Sequence, residues 1–259
     1  MPTGFAGLEA QLWLWLVAMI RPGAAFLAAP VFGAAFVPVQ LRAIIALAIG
    51  IPALAVTDFT LPVDGLVSME GFLLVLGEVL AGLALGFAVQ IGYSAALIAG
   101  ETIGNAMGLG FAAMVDPSTG QNNPIVAQFL SIVGTLLFLA IGGHLALAAT
   151  VVESYRALPP GDAWIGAQSL YGLVLFGGVL FAAGLSIALP VGFAIVLVQI
   201  VMGMLARSAP ALNLFAVGFP AALLAGLVLM AMAAPVMGDG IIAAIRQGLE
   251  ESLRLATGG

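Results

Sequence analysis

The chain has no cysteine, no lysine and a single histidine, His144, and only 7% of its 259 residues are charged. Without cysteine there is no disulfide, no thiolate nucleophile and no Cys-based metal site. One histidine cannot assemble a multi-histidine metal site, and the chain carries no G-x-S-x-G, H-E-x-x-H or Walker loop. Neither catalysis nor a cofactor is expected. Six arginines against twelve acids give a net charge of −6, with no basic stripe to neutralise phosphates, so nucleic acid is excluded as a partner. A soluble chain would carry charge on about a quarter of its residues. Here 63% of residues are hydrophobic and mean hydropathy is +1.23, which defines an all-α integral membrane protein with lipid around it.

Apolar stretches run Leu12–Phe32, Ala43–Val56, Gly71–Gly100, Ile125–Val152, Leu170–Leu205 and Leu214–Met237. The first is not a secretory signal, because Glu9 stands where a basic region belongs and Arg21 interrupts the apolar run. About six hydrophobic helices follow, judged against the roughly 20 residues a crossing needs. The second is short for a crossing; the third and fifth are long enough to tilt, kink or continue beyond the lipid. Arginine placement adds a conflict. The acidic segment Asp58–Glu70, without arginine, belongs outside. Counting one crossing per stretch then puts Arg207 inside but Arg246 and Arg254 outside. Either some apolar helices bury their surface against protein instead of crossing, or Glu101–Val115 forms an extra crossing or re-entrant element.

Gly100, Gly104 and Gly108 recur every fourth residue, as do Gly82 and Gly86. Small residues at that spacing let helix backbones approach closely, either within the chain or between neighbouring subunits. Arg21, Glu78, Glu101 and His144 are ionisable groups in apolar surroundings, each a functional candidate by default. They allow two readings: a proton relay, or structural pairing such as Arg21 with Glu78 or Glu101; His144, in Gly142-Gly143-His144, could equally lie at a helix end and bond a backbone carbonyl. Pro30, Pro38, Pro190, Pro210 and Pro220 form no repeat of the kind that paired broken helices of a secondary transporter would produce.

One polar, turn-rich break lies at the middle, Asp116-Pro117-Ser118-Thr119-Gly120-Gln121-Asn122-Asn123-Pro124. Each proline disfavours helix at the residue before it, so Asp116 and Asn123 mark helix ends. Irregular backbone survives at membrane depth only when buried in protein or lining a wet cavity. The break is therefore either a surface turn or a pore element. Met107, Phe111 and Met114 beside it are bulky and deformable, and Gly108, Gly110 and Gly120 give permissive backbone.

Three blocks carry a family resemblance. ETIGNAMGLGFAAMVDP (Glu101–Pro117) resembles the central signature of FliR, a membrane component of the flagellar type III export gate. GGHLALAATVVESYRALPPG (Gly142–Gly161) is similar to the next block of that family, and ALPVGFAIVLVQIVMGMLARSAPALNLFAVGFP (Ala188–Pro220) to a third. The resemblance implies a subunit that joins FliP-like and FliQ-like subunits in a pseudo-helical hetero-oligomeric gate, with an FlhB-like subunit at the cytoplasmic entrance. That gate conducts unfolded export substrates across the bacterial inner membrane at the flagellar basal body. The homologous SctT subunit of injectisomes is the alternative, and a secondary transporter a more distant one.

The resemblance further implies that the central loop plugs the closed conduit, with Met107, Gly108, Gly110, Phe111, Met114, Asp116, Pro117, Gly120, Asn122 and Asn123 at the matching positions. Glu101, Gly104, Gly143, His144, Pro159, Pro190, Arg207, Pro210, Gly218, Phe219 and Pro220 occupy the family's structural motif positions. Arg207 with Pro210 is expected to fix a turn between the last two helices, and Phe219-Pro220 to kink the final one. The chain is expected to be one domain, 1–259: N-terminal helices 1–100, plug segment 101–124, C-terminal helices 125–240 and an amphipathic tail 241–259. In that tail Ile241, Ile245, Leu249 and Leu253 are expected to form the apolar face.

Overall fold

The computed structural model describes residues 6–55, 57, 68–110, 124–161, 163–208 and 214–258. Their regular structure is helical: α1 Ala6–Ala28, α2 Val39–Ala55, α3 Met69–Ala106, α4 Ile125–Ala140, α5 Gly143–Ala157, α6 Ala167–Ser208 and α7 Leu214–Ala256. α1, α3, α6 and α7 are each long and apolar enough to cross a membrane, and α4 with α5 makes a fifth candidate span, bent at its middle. α2, at 17 residues, is apolar but short of a full crossing, as its sequence implied.

Proline and glycine set the boundaries. α1 stops two residues before Pro30, which disfavours helix at the residue preceding it. Pro38 accepts the first bonds of α2, from the amides of Leu41 and Arg42 at 3.1 and 3.3 Å. Pro124 does the same for α4, accepting from Gln128 at 2.9 Å; its fixed φ, −75° here, suits the position before a helix. α5 ends at Ala157, ahead of Pro159 and Pro160. Between α4 and α5 sits Gly142 at φ 71°, a left-handed conformation that costs glycine nothing. Its carbonyl accepts from Leu145 and Ala146 to start α5. The single apolar stretch Ile125–Val152 is thus two helices, giving seven among the described residues where about six were expected.

Two further expectations are corrected. Glu101–Ala106 continues α3 without a break, so these residues are not the start of a separate crossing. The tail is likewise not separate, because α7 runs unbroken to Ala256. Its buried residues are Ile241, Ala244, Ile245, Gly248, Ser252, Leu255 and Ala256, while Leu253 is 46% exposed. A row taken every fourth residue drifts about 40° per step around a helix of 3.6 residues per turn, and by Leu253 it has left the buried face.

The described residues fall into two compact units. The first comprises α1, α2, α3 to Gly92, α5, α6 to Gly177 and α7 from Ile245. In it α1 packs on α2 and α5, and α2 on α5, around Val17, Phe26, Leu85, Leu147, Val151 and Tyr155. A Cβ on Gly50 would overlap the carbonyl of Ala18, and Cβ atoms on Gly82 and Gly86 would overlap those of Arg21 and Ala25. The second unit comprises α3 from Tyr93, α4, α6 from Gly178 and α7 to Ala244. Its core includes Ile103, Leu130, Phe138, Val191, Ile195 and Ile241. Here a Cβ on Gly100 would overlap the backbone of Ala127, and the Tyr93 hydroxyl bonds Thr135 Oγ1 at 2.8 Å and Ser131 Oγ at 3.1 Å. Gly82 and Gly86 of one row and Gly100 of the other are therefore used for close packing within the chain.

We expect Gly86→Ala to destabilise the isolated chain by about 1–3 kcal/mol, since its methyl meets a carbonyl that can only yield by backbone movement. Gly192→Ala, with open space around it, should be neutral or stabilising by up to about 1 kcal/mol. Detergent-unfolding curves followed by circular dichroism measure both.

Candidate functional site

The first polar centre lies in the first unit and is built on Arg21 of α1. Arg21 and Glu78 are each fully buried. Nη2 of Arg21 donates to Glu78 Oε1 at 2.6 Å and Nε to Oε2 at 3.0 Å, a bidentate pairing that suits the flat guanidinium. Nη1 donates to Ser154 Oγ at 3.0 Å, and Nη2 also to the Leu158 carbonyl at 2.7 Å. The Tyr155 ring lies 4.1 Å from the guanidinium carbon, within cation–π range. A buried charge is tolerable only when paired and hydrogen-bonded, and both conditions are met. Of the two pairings open to Arg21 in the sequence, Glu78 is its partner. A relay needs a group free to take up a proton, whereas this carboxylate is occupied at both oxygens.

The second centre is a polar cleft of about 200 Å³ in the second unit, lined by Gly100, Glu101, Gly104, Asn105, Leu109, Gly110, Pro124, Ile125 and Val126. It forms where α3 ends. Gly108, at φ 84°, turns the chain; its amide donates to the Asn105 carbonyl at 3.0 Å, and Leu109 to the Gly104 carbonyl at 3.0 Å. The Ala106 carbonyl is satisfied from α6, by Gln199 Nε2 at 2.7 Å. Glu101 and Asn105 stand one turn apart and both are exposed. Gly110 and Pro124, the described residues bordering the central segment, line this same cleft. That segment's two ends are thus rooted together at the junction of α3 and α4.

Of the plug positions, Met107 is fully buried over Gly226 of α7, Gly108 makes the turn and Gly110 is exposed. Phe111, Met114, Asp116, Pro117, Gly120, Asn122 and Asn123 lie outside the described residues, as does Pro210. Among the motif positions, Glu101 and Gly104 share the cleft. Gly143 opens α5 and is buried, and beside it the buried Nδ1 of His144 has no hydrogen-bond partner among the described residues. Pro159 is exposed just after α5, Pro190 is exposed within α6, and Arg207 is exposed in the last turn of α6. Gly218, Phe219 and Pro220 lie inside α7. Ser154, Tyr155, the Leu158 carbonyl and Gln199 went unmarked in the sequence; the first three carry no signal beyond helical spacing, and a lone glutamine gives none. No group of three or more metal-ligating side chains occurs among the described residues.

Apolar spanning helices, a structural buried ion pair and a polar cleft at the root of a central break define a membrane protein whose polar residues organise packing. Residues 12–248 match the family "Bacterial export proteins, family 1", and the chain belongs to that family of non-enzymatic membrane components. It is similar to the flagellar biosynthetic protein FliR of Escherichia coli strain K12, with 34% identity over 230 residues, covering 88% of this chain and 85% of that protein. FliR of Aquifex aeolicus strain VF5 is 29% identical over 208 residues, 80% of each chain. FliR of Bacillus subtilis strain 168 is 29% identical over 209 residues, again 80% of each.

Glu78→Leu alone leaves Arg21 as an unpaired buried charge and should cost about 3–5 kcal/mol, whereas Arg21→Met with Glu78→Leu removes both charges and should cost far less. Protease-resistance midpoints in detergent for the two variants check the difference.

Proposed function

We propose that the chain is a subunit of the flagellar type III protein export gate. With FliP-like and FliQ-like subunits it forms a gated conduit for unfolded export substrates across the bacterial inner membrane, and an FlhB-like subunit joins at the cytoplasmic entrance. Support comes first from family membership spanning 12–248 and from relatives that are flagellar biosynthetic proteins. The latter favours the flagellar system over the injectisome.

The structural observation that carries the assembly is the length of the exposed apolar surface on α6. This helix has 42 residues, about 60 Å of contour against roughly 30 Å of hydrocarbon. Large apolar side chains stay exposed along it from Leu170 through Val174, Phe181, Leu189, Phe193 and Ile200 to Leu205, about 50 Å. Measured along the helix, that surface is longer than the hydrocarbon is thick. Apolar surface that lipid cannot cover needs protein to cover it. On this reading not every apolar helix has to cross, which would accommodate the arginine count.

In this reading, residues 107–123 act as the plug. Gly110 and Pro124 on one cleft give the segment a single root, and Gly108 supplies the turn by which it leaves α3. Phe111 and Met114 are assigned to the apolar seal, and Asp116, Pro117, Gly120, Asn122 and Asn123 to its hydrated tip. Glu101 and Gly104 shape the root; Gly143, His144, Pro159, Pro190, Arg207, Pro210, Gly218, Phe219 and Pro220 set helix ends and packing. Of the groups on which a secondary transporter would draw, Glu78, Glu101 and His144, Glu78 is held by Arg21.

Native mass spectrometry of the chain co-expressed with its genomic neighbours is expected to show one copy with several FliP-like and FliQ-like chains. A self-contained monomer or homodimer would sink the proposal. Deleting residues 111–122 is expected to leave that complex assembled while making cells leak small ions; an assembled complex that stays tight would remove the plug role.

A further inference from the structure

The connection between α5 and α6 is held in place by one side chain of α1. The guanidinium of Arg21 meets Ser154, Tyr155 and the Leu158 carbonyl, all at the end of α5, while its other edge is fixed to Glu78 of α3. Leu158 lies past the last turn of α5, where carbonyls lose their helical partners, and the Arg21 bond satisfies it. Beyond it, Leu158 packs in a small cluster with Ala81 of α3, Ala163 and Ile165. Pro159 and Trp164 of the same connection are exposed, Trp164 by 48%.

The rest of the α1–α3 contact is smooth. A Cβ on Gly82 would overlap the Arg21 carbonyl, and one on Gly86 that of Ala25. Surfaces of small residues pack well but give few directional contacts to select one docking position. Around Arg21, by contrast, every neighbour is an acceptor: a carboxylate, a hydroxyl whose own hydrogen goes to the Val151 carbonyl at 2.7 Å, a backbone carbonyl and an aromatic face. That socket takes a cation with several donors in a fixed plane, which describes arginine and not lysine.

We propose that Arg21 is a positioning residue that docks the α5–α6 connection onto α3, and so fixes where Pro159 and Trp164 are presented. The role is distinct from neutralising Glu78, since it resides in the bonds to Ser154 and Leu158.

The cysteine-free chain permits a direct test in the full-length protein in native membranes. A Cβ on Gly77 would stand 3.8 Å from the Ala163 Cβ, the usual Cβ separation of a disulfide, about 3.8 Å. Gly77→Cys with Ala163→Cys therefore reports docking of the connection on α3. Gly23→Cys with Ala46→Cys, where the corresponding separation is 3.6 Å, reports the pairing of α1 with α2 and serves as a folding control. In Arg21→Met with Glu78→Leu, which leaves no unpaired buried charge, the 77–163 disulfide yield is expected to fall about tenfold or more, the weight of one charge-assisted hydrogen bond in a docking equilibrium. The 23–46 yield should persist, and Arg21→Lys should fall between. An undiminished 77–163 yield would overturn the proposal. So would loss of both disulfides, which would make Arg21 a requirement of the whole unit and not of this connection.

Discussion

In lipid an apolar side chain gains little by turning from the bilayer to another helix, so helices associate through close backbone contact and shared polar groups. This constraint governs the protein. α1 lies so near α3 that Gly82 and Gly86 have no room for a methyl group, Gly50 of α2 is equally tight against Ala18, and Gly100 brings α3 onto the backbone of Ala127. The cores are correspondingly rich in alanine, with Ala25, Ala81, Ala88, Ala95, Ala99 and Ala127 fully buried. Large apolar residues such as Phe181, Phe193 and Met204 are left on the outside, inverting the arrangement of a water-soluble protein.

That inversion links packing to function. A chain that buries so much alanine and displays so many bulky apolar side chains has to have that surface covered, and on the proposed reading lipid covers part of it and partner subunits the rest. Polar chemistry is used sparingly within such a frame. The Arg21–Glu78 pair lends direction to a seam that is otherwise featureless, and the Tyr93–Ser131–Thr135 bonds do similar work between α3 and α4. In both places the polar groups bond one another across a helix seam.

Much of this was legible in the linear chain. The apolar stretches cover the helices of the described residues, two of them falling in one stretch; the prolines at 30, 38, 124 and 159 mark where helices begin or stop, and Gly82, Gly86 and Gly100 mark close approaches. Arg21 and Glu78 stood out as isolated charges in apolar runs, and pairing was one of their two readings. The break at Gly142 was open in the sequence, where Gly142-Gly143-His144 could mark a helix end, but a two-residue interruption changes neither hydropathy nor length, and the left-handed φ of that glycine decides it. The tail's buried face was misplaced because a strict four-residue row does not follow a helix for more than two or three turns.

Membrane residence and helical class were read from composition, because 7% charge leaves too little polar surface for water; that the chain is not an enzyme comes from its family. Membership of an export family followed from three motif blocks in order. Tertiary structure alone decided which acid neutralises Arg21, what completes its coordination at Ser154 and Leu158, and that Gly110 and Pro124 meet at one cleft. The physical reason is distance along the chain: Arg21 is 57 residues from Glu78 and 137 from Leu158. Local spacing can announce that a buried charge needs partners, but only the packing of whole helices determines which ones it meets.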